Sequence, residues 1–170
     1  MNFIDEAFIE ISAGKGGDGL LSFRRAKNIP KGGPDGGDGG SGGNVVFKAN
    51  SNLNTLERFR HEKYFSAKDG KKGSNQNKSG ASGENLIIEV PVGTIIYNEL
   101  IEEKIIDLDV HAEEVIVARG GKGGFGNVRF KSSSHRAPRK ITKGNEGDSL
   151  SLRLELRILA DVGLLGRPNS

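Results

Sequence analysis

The sequence predicts a mainly β protein in which a glycine-rich bundle of short polyproline II helices stands beside a small antiparallel β-barrel or sandwich. Three observations lead there. Glycines recur at intervals of three residues, apolar residues alternate in short runs, and no window of helical length carries an apolar stripe. The chain of 170 residues has 26 glycines. Glycine fills no core, so Ile, Leu, Val and Phe must be concentrated in the β portion.

The spacing of three is plain at Gly14/Gly17, Gly16/Gly19, Gly70/Gly73, Gly80/Gly83, Gly120/Gly123/Gly126 and Gly144/Gly147. The densest block, KGGPDGGDGGSGGN, runs Gly33, Gly36, Gly39 and Gly42 in one register and Gly37, Gly40 and Gly43 in the next. This is the period of polyproline II, which has three residues per turn and no internal hydrogen bonds. Glycine every third residue gives such a helix one bare face, where a second backbone can approach and take up its free N–H and C=O groups. A flexible linker is the alternative on composition. It has no reason to keep a register, and these blocks are scattered between strand-like runs. Collagen is excluded by the broken repeat and only five prolines.

The same spacing generates G-x-G-x-x-G at Gly14, Gly37 and Gly121. A dinucleotide site needs a strand before that motif and a helix after it. LLSFRR and NVRFKSSSHRAP follow the first and third, without helical spacing, so all three read as by-products of packing.

Strand candidates fall, in order, at residues 3–12, 20–24, 44–49, 86–90, 94–98, 104–108, 114–118 and 149–158. The last is the clearest, with Leu150, Leu152, Leu154, Leu156 and Ile158 on one face and Ser151, Arg153, Glu155 and Arg157 on the other. Residues 52–59 allow one helical turn. The domain therefore covers residues 1–158, with prongs within 14–43, 70–83 and 119–147. Residues 159–170 (LADVGLLGRPNS after Ile158) read as the first strand and partial phosphate loop of a second domain. Gly166, Arg167, Pro168, Asn169 and Ser170 match the first five positions of G-x-x-x-x-G-K-[ST].

The net charge of +3 hides an asymmetry. Residues 115–145 contain no acid but eight bases: Arg119, Lys122, Arg129, Lys131, Arg136, Arg139, Lys140 and Lys143. Arg24, Arg25, Lys27 and Lys31 form a second group, and Lys68, Lys71, Lys72 and Lys78 a third. Basic loops beside a weakly charged scaffold resemble a nucleic-acid footprint, against the plainer reading of solvated loop charges. The absence of cysteine fits a reducing compartment. The N-terminus MNFIDEAF carries acids where a signal peptide would carry positive charge, and no apolar run approaches the length of a membrane span. A cytoplasmic, membrane-free monomer is expected.

The stretches FRRAKNIPKGGPDGGDGGSGGNV, NLNTL, VPVGT, RGGKGGFGN and LADVGLLGRPNS together resemble the Obg (CgtA) family of ribosome-associated GTPases along the whole chain. Ala26 stands where that family usually has Glu, and Asp148 where Glu is common. The resemblance implies the Obg fold and a parent protein that hydrolyses GTP with Mg²⁺. The lysine and Ser/Thr completing the phosphate loop would follow Ser170, so this stretch alone is expected to bind no GTP or GDP, hold no metal and catalyse nothing. It also implies docking on the large ribosomal subunit during late assembly, with loop tips against rRNA near the peptidyl transferase region. The matching candidates are Lys27 and Lys31 on the first tip, Lys71, Lys72 and Lys78 on the second, and Arg136, Arg139 and Lys140 on the third. The rival is a glycine-rich protein-interaction module that regulates the attached GTPase.

Other groups read more plainly. Glu102, Glu103, Asp107, Asp109, Glu113 and Glu114 suit a solvated hairpin edge better than a metal site. His61, His111 and His135 lack ligand spacing. Ser132, Ser133 and Ser134 precede His135 with no carboxylate near to orient it. In the segment RFRHEKYF, Phe59 and Phe65 suit burial better than base stacking.

Overall fold

The computed structural model describes residues 2–25 and 32–159. Among the described residues eight strands form two sheets: β1 (Asn2–Ser12), β2 (Val45–Asn50), β3 (Tyr64–Ser66), β4 (Leu86–Pro91), β5 (Thr94–Asn98), β6 (Glu103–Leu108), β7 (Glu114–Ala118) and β8 (Ser149–Leu159). One sheet has the order β3-β1-β8-β5-β6 and the other β4-β2-β7. One short helix, α1 (Arg58–His61), precedes β3.

The chain is mainly β, as the alternation predicts, and seven of the eight expected strands form within a residue or two of their expected bounds. Residues 20–24 depart from the prediction. Leu20 N–H keeps to the bundle, bonded to Gly37 O, while Arg24 N–H to Gly33 O and Asp35 N–H to Ser22 O close an isolated antiparallel bridge of Phe23 with Pro34, so the segment enters neither sheet. The sheets are mixed and form no closed barrel among the described residues. β1 and β3 pair in parallel, as do β2 and β4.

The parallel pairs have a simple cause. β1, β3 and β7 each run on into an extended segment that leaves the sheets, and a second segment returns into β2, β4 and β8. Each excursion brings the chain back to the same level. It supplies the long crossover that parallel strands require.

The sheets enclose one core. Ala7, Ile9 and Ile11 of β1 face Leu154, Leu152 and Leu150 of β8, and Phe47, Ile88, Val90, Ile96 and Leu108 complete it. Burying side chains of this size contributes about 1.5–3 kcal/mol each. Phe59 and Phe65 lie in the same core, their rings 5.8 Å apart. Asp5, itself buried, accepts the Leu56 N–H at 3.1 Å and pairs with Arg60, fastening α1 to β1.

The six excursion segments form the bundle: I (residues 14–20), II (36–43), III (68–74), IV (78–84), V (120–126) and VI (142–148). Their hydrogen bonds step by three. Gly14, Gly17 and Leu20 donate to Gly43, Gly40 and Gly37, and Gly121, Gly124 and Asn127 donate back to Gly14, Gly17 and Leu20. Segment I contacts II, III, V and VI in this way, and II contacts I, III, IV and V. At the end of V, Gly126 has φ −74° and ψ 165°, close to polyproline II.

Among the described glycines only Gly93 has a positive φ. The bundle glycines therefore serve close approach, not turning. A Cβ on Gly39 would land on the carbonyl of Gly17, and one on Gly123 on the carbonyl of Gly39. The register is that of an ordered bundle and excludes a linker. Non-glycine residues between them satisfy other amides. Carboxylates of Asp18, Asp38, Asp69 and Asp148 accept the N–H groups of Gly144, Gly126, Lys15 and Arg119 at 2.9 Å.

Candidate nucleic-acid interface

The segments pair base to base, so all three excursions turn at the end of the bundle far from the sheets. The connections are residues 21–35, 75–77 and 127–141. This distal end gathers exposed bases from distant parts of the chain: Arg24, Arg25, Lys78, Lys131, Arg136, Arg139 and Lys140. Its acids are withdrawn. Asp35 is buried, and Asp38 is ion-paired to Arg129 at 2.6 Å. Burial opposes the charge on Asp38. Hydrogen bonds from the Arg129 guanidinium and the Gly126 N–H outweigh it and hold the carboxyl below its ordinary value.

Of the expected contact residues, Lys78, Arg136, Arg139 and Lys140 lie in the distal turns or beside them. Lys71 and Lys72 are exposed but sit on the shaft, where Lys71 N–H bonds Ala81 O and its carbonyl accepts Gly40 N–H. Lys27 and Lys31, with Ala26, lie outside the described residues. So do Gly166, Arg167, Pro168, Asn169 and Ser170 and the expected second domain that contains them. Arg119 and Lys122 stand near the sheets, where their carbonyls accept from Asp148 and Asn145.

Several distal bases are held over aromatic rings, which orients them while leaving them accessible. The Arg139 guanidinium lies 5.7 Å from the Phe23 ring, Lys140 Nζ 4.9 Å from Phe130 and Arg129 5.0 Å from Phe125. Phe125 and Phe130 meet edge to face at 6.3 Å. The turn of the third prong is a tight antiparallel bridge, with the backbones of Ser132 and His135 bonded to each other.

Asn127 locks this end together. Its side chain is fully buried, and its Oδ1 accepts from Gly36 N–H at 3.0 Å and Ser22 N–H at 3.4 Å. Its Nδ2 donates to Ser22 O at 2.9 Å and Pro138 O at 3.1 Å. The first and third prongs are thus joined through one amide. Sequence reasoning passed over this residue. The only local signal is that RGGKGGFG ends in Asn where the glycine period stops.

None of the three G-x-G-x-x-G runs opens an α-helix; the third leads into a single 3-10 turn, Asn127–Phe130. The acids of residues 99–114 lie mostly exposed on and beyond the edge strand β6, with Asp107 paired to Lys104 at 2.7 Å. Among the described residues no group of three or more His, Asp or Glu gathers as a metal site. No described helix is long and apolar enough to cross a membrane.

Glycine segments laced by backbone hydrogen bonds on a pair of mixed sheets, with a basic distal end, define a distinctive class of glycine-rich β domain. The family model described as GTP1/OBG matches residues 4–158. A curated relative, GTPase Obg of Picosynechococcus sp., is 53% identical over 170 residues, covering 100% of this chain and 48% of its own length. The chain belongs to the GTP1/OBG family, and it spans about half the length of that relative.

Proposed function

We propose that this chain is the ribosome-docking, rRNA-binding domain of an Obg-type GTPase that acts in the cytoplasm, as a monomer, in late assembly of the large ribosomal subunit. The observation that carries the reading is the distal end of the bundle. Its bases are exposed and its two nearest acids are buried or paired. A stiff, narrow shaft with little side-chain bulk suits entry into an RNA crevice near the peptidyl transferase region, where Lys and Arg meet phosphates. The likeness to GTPase Obg supports a whole protein that binds GTP and GDP and hydrolyses GTP with Mg²⁺. Residues 166–170 would then begin its phosphate loop, while the present chain binds rRNA and leaves hydrolysis to the rest.

Co-sedimentation with purified large subunits tests this. Charge reversal at Lys27, Lys31, Arg136 and Arg139 should abolish docking while the melting curve stays unchanged. If about four phosphates are neutralised, affinity should fall by roughly two orders of magnitude between 50 and 200 mM salt. Docking indifferent to salt and to these reversals would instead favour a protein-interaction module.

A further inference from the structure

We propose that the cleft between the distal turns is a subsite for one unpaired guanine nucleotide of single-stranded RNA. This inference deepens the docking reading and rests on it. The cleft has a volume of about 770 Å³, and its lining includes Phe23, Arg24, Arg25, Asp35, Gln76 and Arg139. That is within the range of sites that enclose a small ligand.

Asp35 is the telling residue. It is 7% exposed, and its Oδ2 accepts the Gln76 N–H at 3.1 Å. Its Oδ1 is buried and has no hydrogen-bond partner among the described residues. Such an oxygen is destabilising until a donor reaches it. The turn that brings Gln76 to Asp35 is itself strained, with φ of 59° at Gln76 and 61° at Asn77. Asn77 N–H also bonds the Asp35 main-chain carbonyl, so the turn holds Asp35 through both its side chain and its backbone.

The chemistry selects the ligand. Among the described lining residues three guanidinium groups outnumber the one carboxylate, so the cleft takes an anion, and phosphate suits it. Arg139, held over Phe23, offers a planar cation on which a base can stack. A side-chain rotation that turns Oδ1 into the cleft then lets the carboxylate read the base edge. Adenine and cytosine place a ring-nitrogen lone pair beside their amino group, and uracil flanks its one N–H with two carbonyls. Each of these repels a carboxylate. Guanine presents N1–H and the 2-amino group side by side, with no acceptor between them.

Fluorescence anisotropy with the labelled pentanucleotides UUGUU, UUAUU, UUCUU and UUUUU tests this on the unmodified chain. UUGUU should bind about tenfold or more tightly than the others, as expected for a paired base contact. Inosine in place of guanine keeps N1–H, loses the 2-amino group and should remove most of that preference. Asp35→Asn retains an acceptor for Gln76 N–H and should abolish it, leaving the other pentamers unaffected. Equal binding of all four, or of UUGUU and its inosine form, overturns the guanine subsite even where co-sedimentation with large subunits persists. Guanine preference without co-sedimentation overturns the docking reading instead. Competition by GMP at the concentrations where UUGUU binds would identify free nucleotide as the ligand and overturn the RNA source.

Discussion

The two halves of this domain solve the same problem with opposite materials. The sheets bury side chains: Phe47, Ile96 and Leu154 are fully enclosed and their value lies in the water they exclude. The bundle buries backbone. Its amides bond directly across segments, and the absence of a side chain is what lets them meet. A side-chain core tolerates exchange among residues of similar volume. A backbone lattice tolerates almost none, because the smallest addition, one methyl group, already collides with a carbonyl.

Substitutions can break that contrast. In the sheets, Phe47→Ala removes a fully buried ring and should cost about 3–5 kcal/mol, read as a lower midpoint in urea. In the bundle, Gly39→Ala should cost more than about 3 kcal/mol although it adds one carbon, because its Cβ meets the Gly17 backbone and cannot swing away. Melting of Gly39→Ala within 1 °C of the unaltered chain would overturn the lattice account. Asn127→Ala should fall between the two halves in kind. It strands the buried N–H of Gly36 and should cost about 2–3 kcal/mol, with hydrogen exchange quickening first at the distal end.

A smaller effect is electrostatic. The folded pKa of Asp38 lies below the ordinary 3.8. Its contribution is complete above that value and is lost as pH falls through the lower folded one. The stability gap between the unaltered chain and Asp38→Asn should therefore be constant near pH 7 and close below about pH 4, by thermal melting. The smallest effect sharpens the comparison most. At Gly33 a Cβ would meet nothing nearer than Lys131 Nζ at 3.7 Å, so Gly33→Ala should shift stability by no more than about 0.5 kcal/mol.

What could be read in the sequence follows the same division. The step of three at Gly36, Gly39 and Gly42 and the step of two at Leu150, Leu152 and Leu154 are both local, and both are present in the fold. The pairing of segments is not local. β3 is only three residues long and exists because β1 offers Glu10, Ile11 and Ser12 alongside it. The alternation in residues 20–24 was misleading because Leu20 is held by Gly37 of segment II and residues 22–24 close only an isolated bridge with residues 33–35. At the distal end the clusters of Lys and Arg were visible. Their arrangement into one surface was not, since Asn127 reaches Ser22 across 105 positions. Arg24 and Arg25 line the cleft just beyond Ser22, where that closure holds the chain.

The triplet lattice also constrains how this domain can change in length. Deleting one residue from segment I would move Gly14, Gly17 and Leu20 out of phase with four neighbouring segments at once. A viable change in the shaft must come in units of three residues, about 9 Å of rise, and must be matched in the segments beside it. The connections beyond the last rung carry no such rule. Prong reach is thus quantised and inherited as a block, while the chemistry displayed at its end is free to vary one residue at a time.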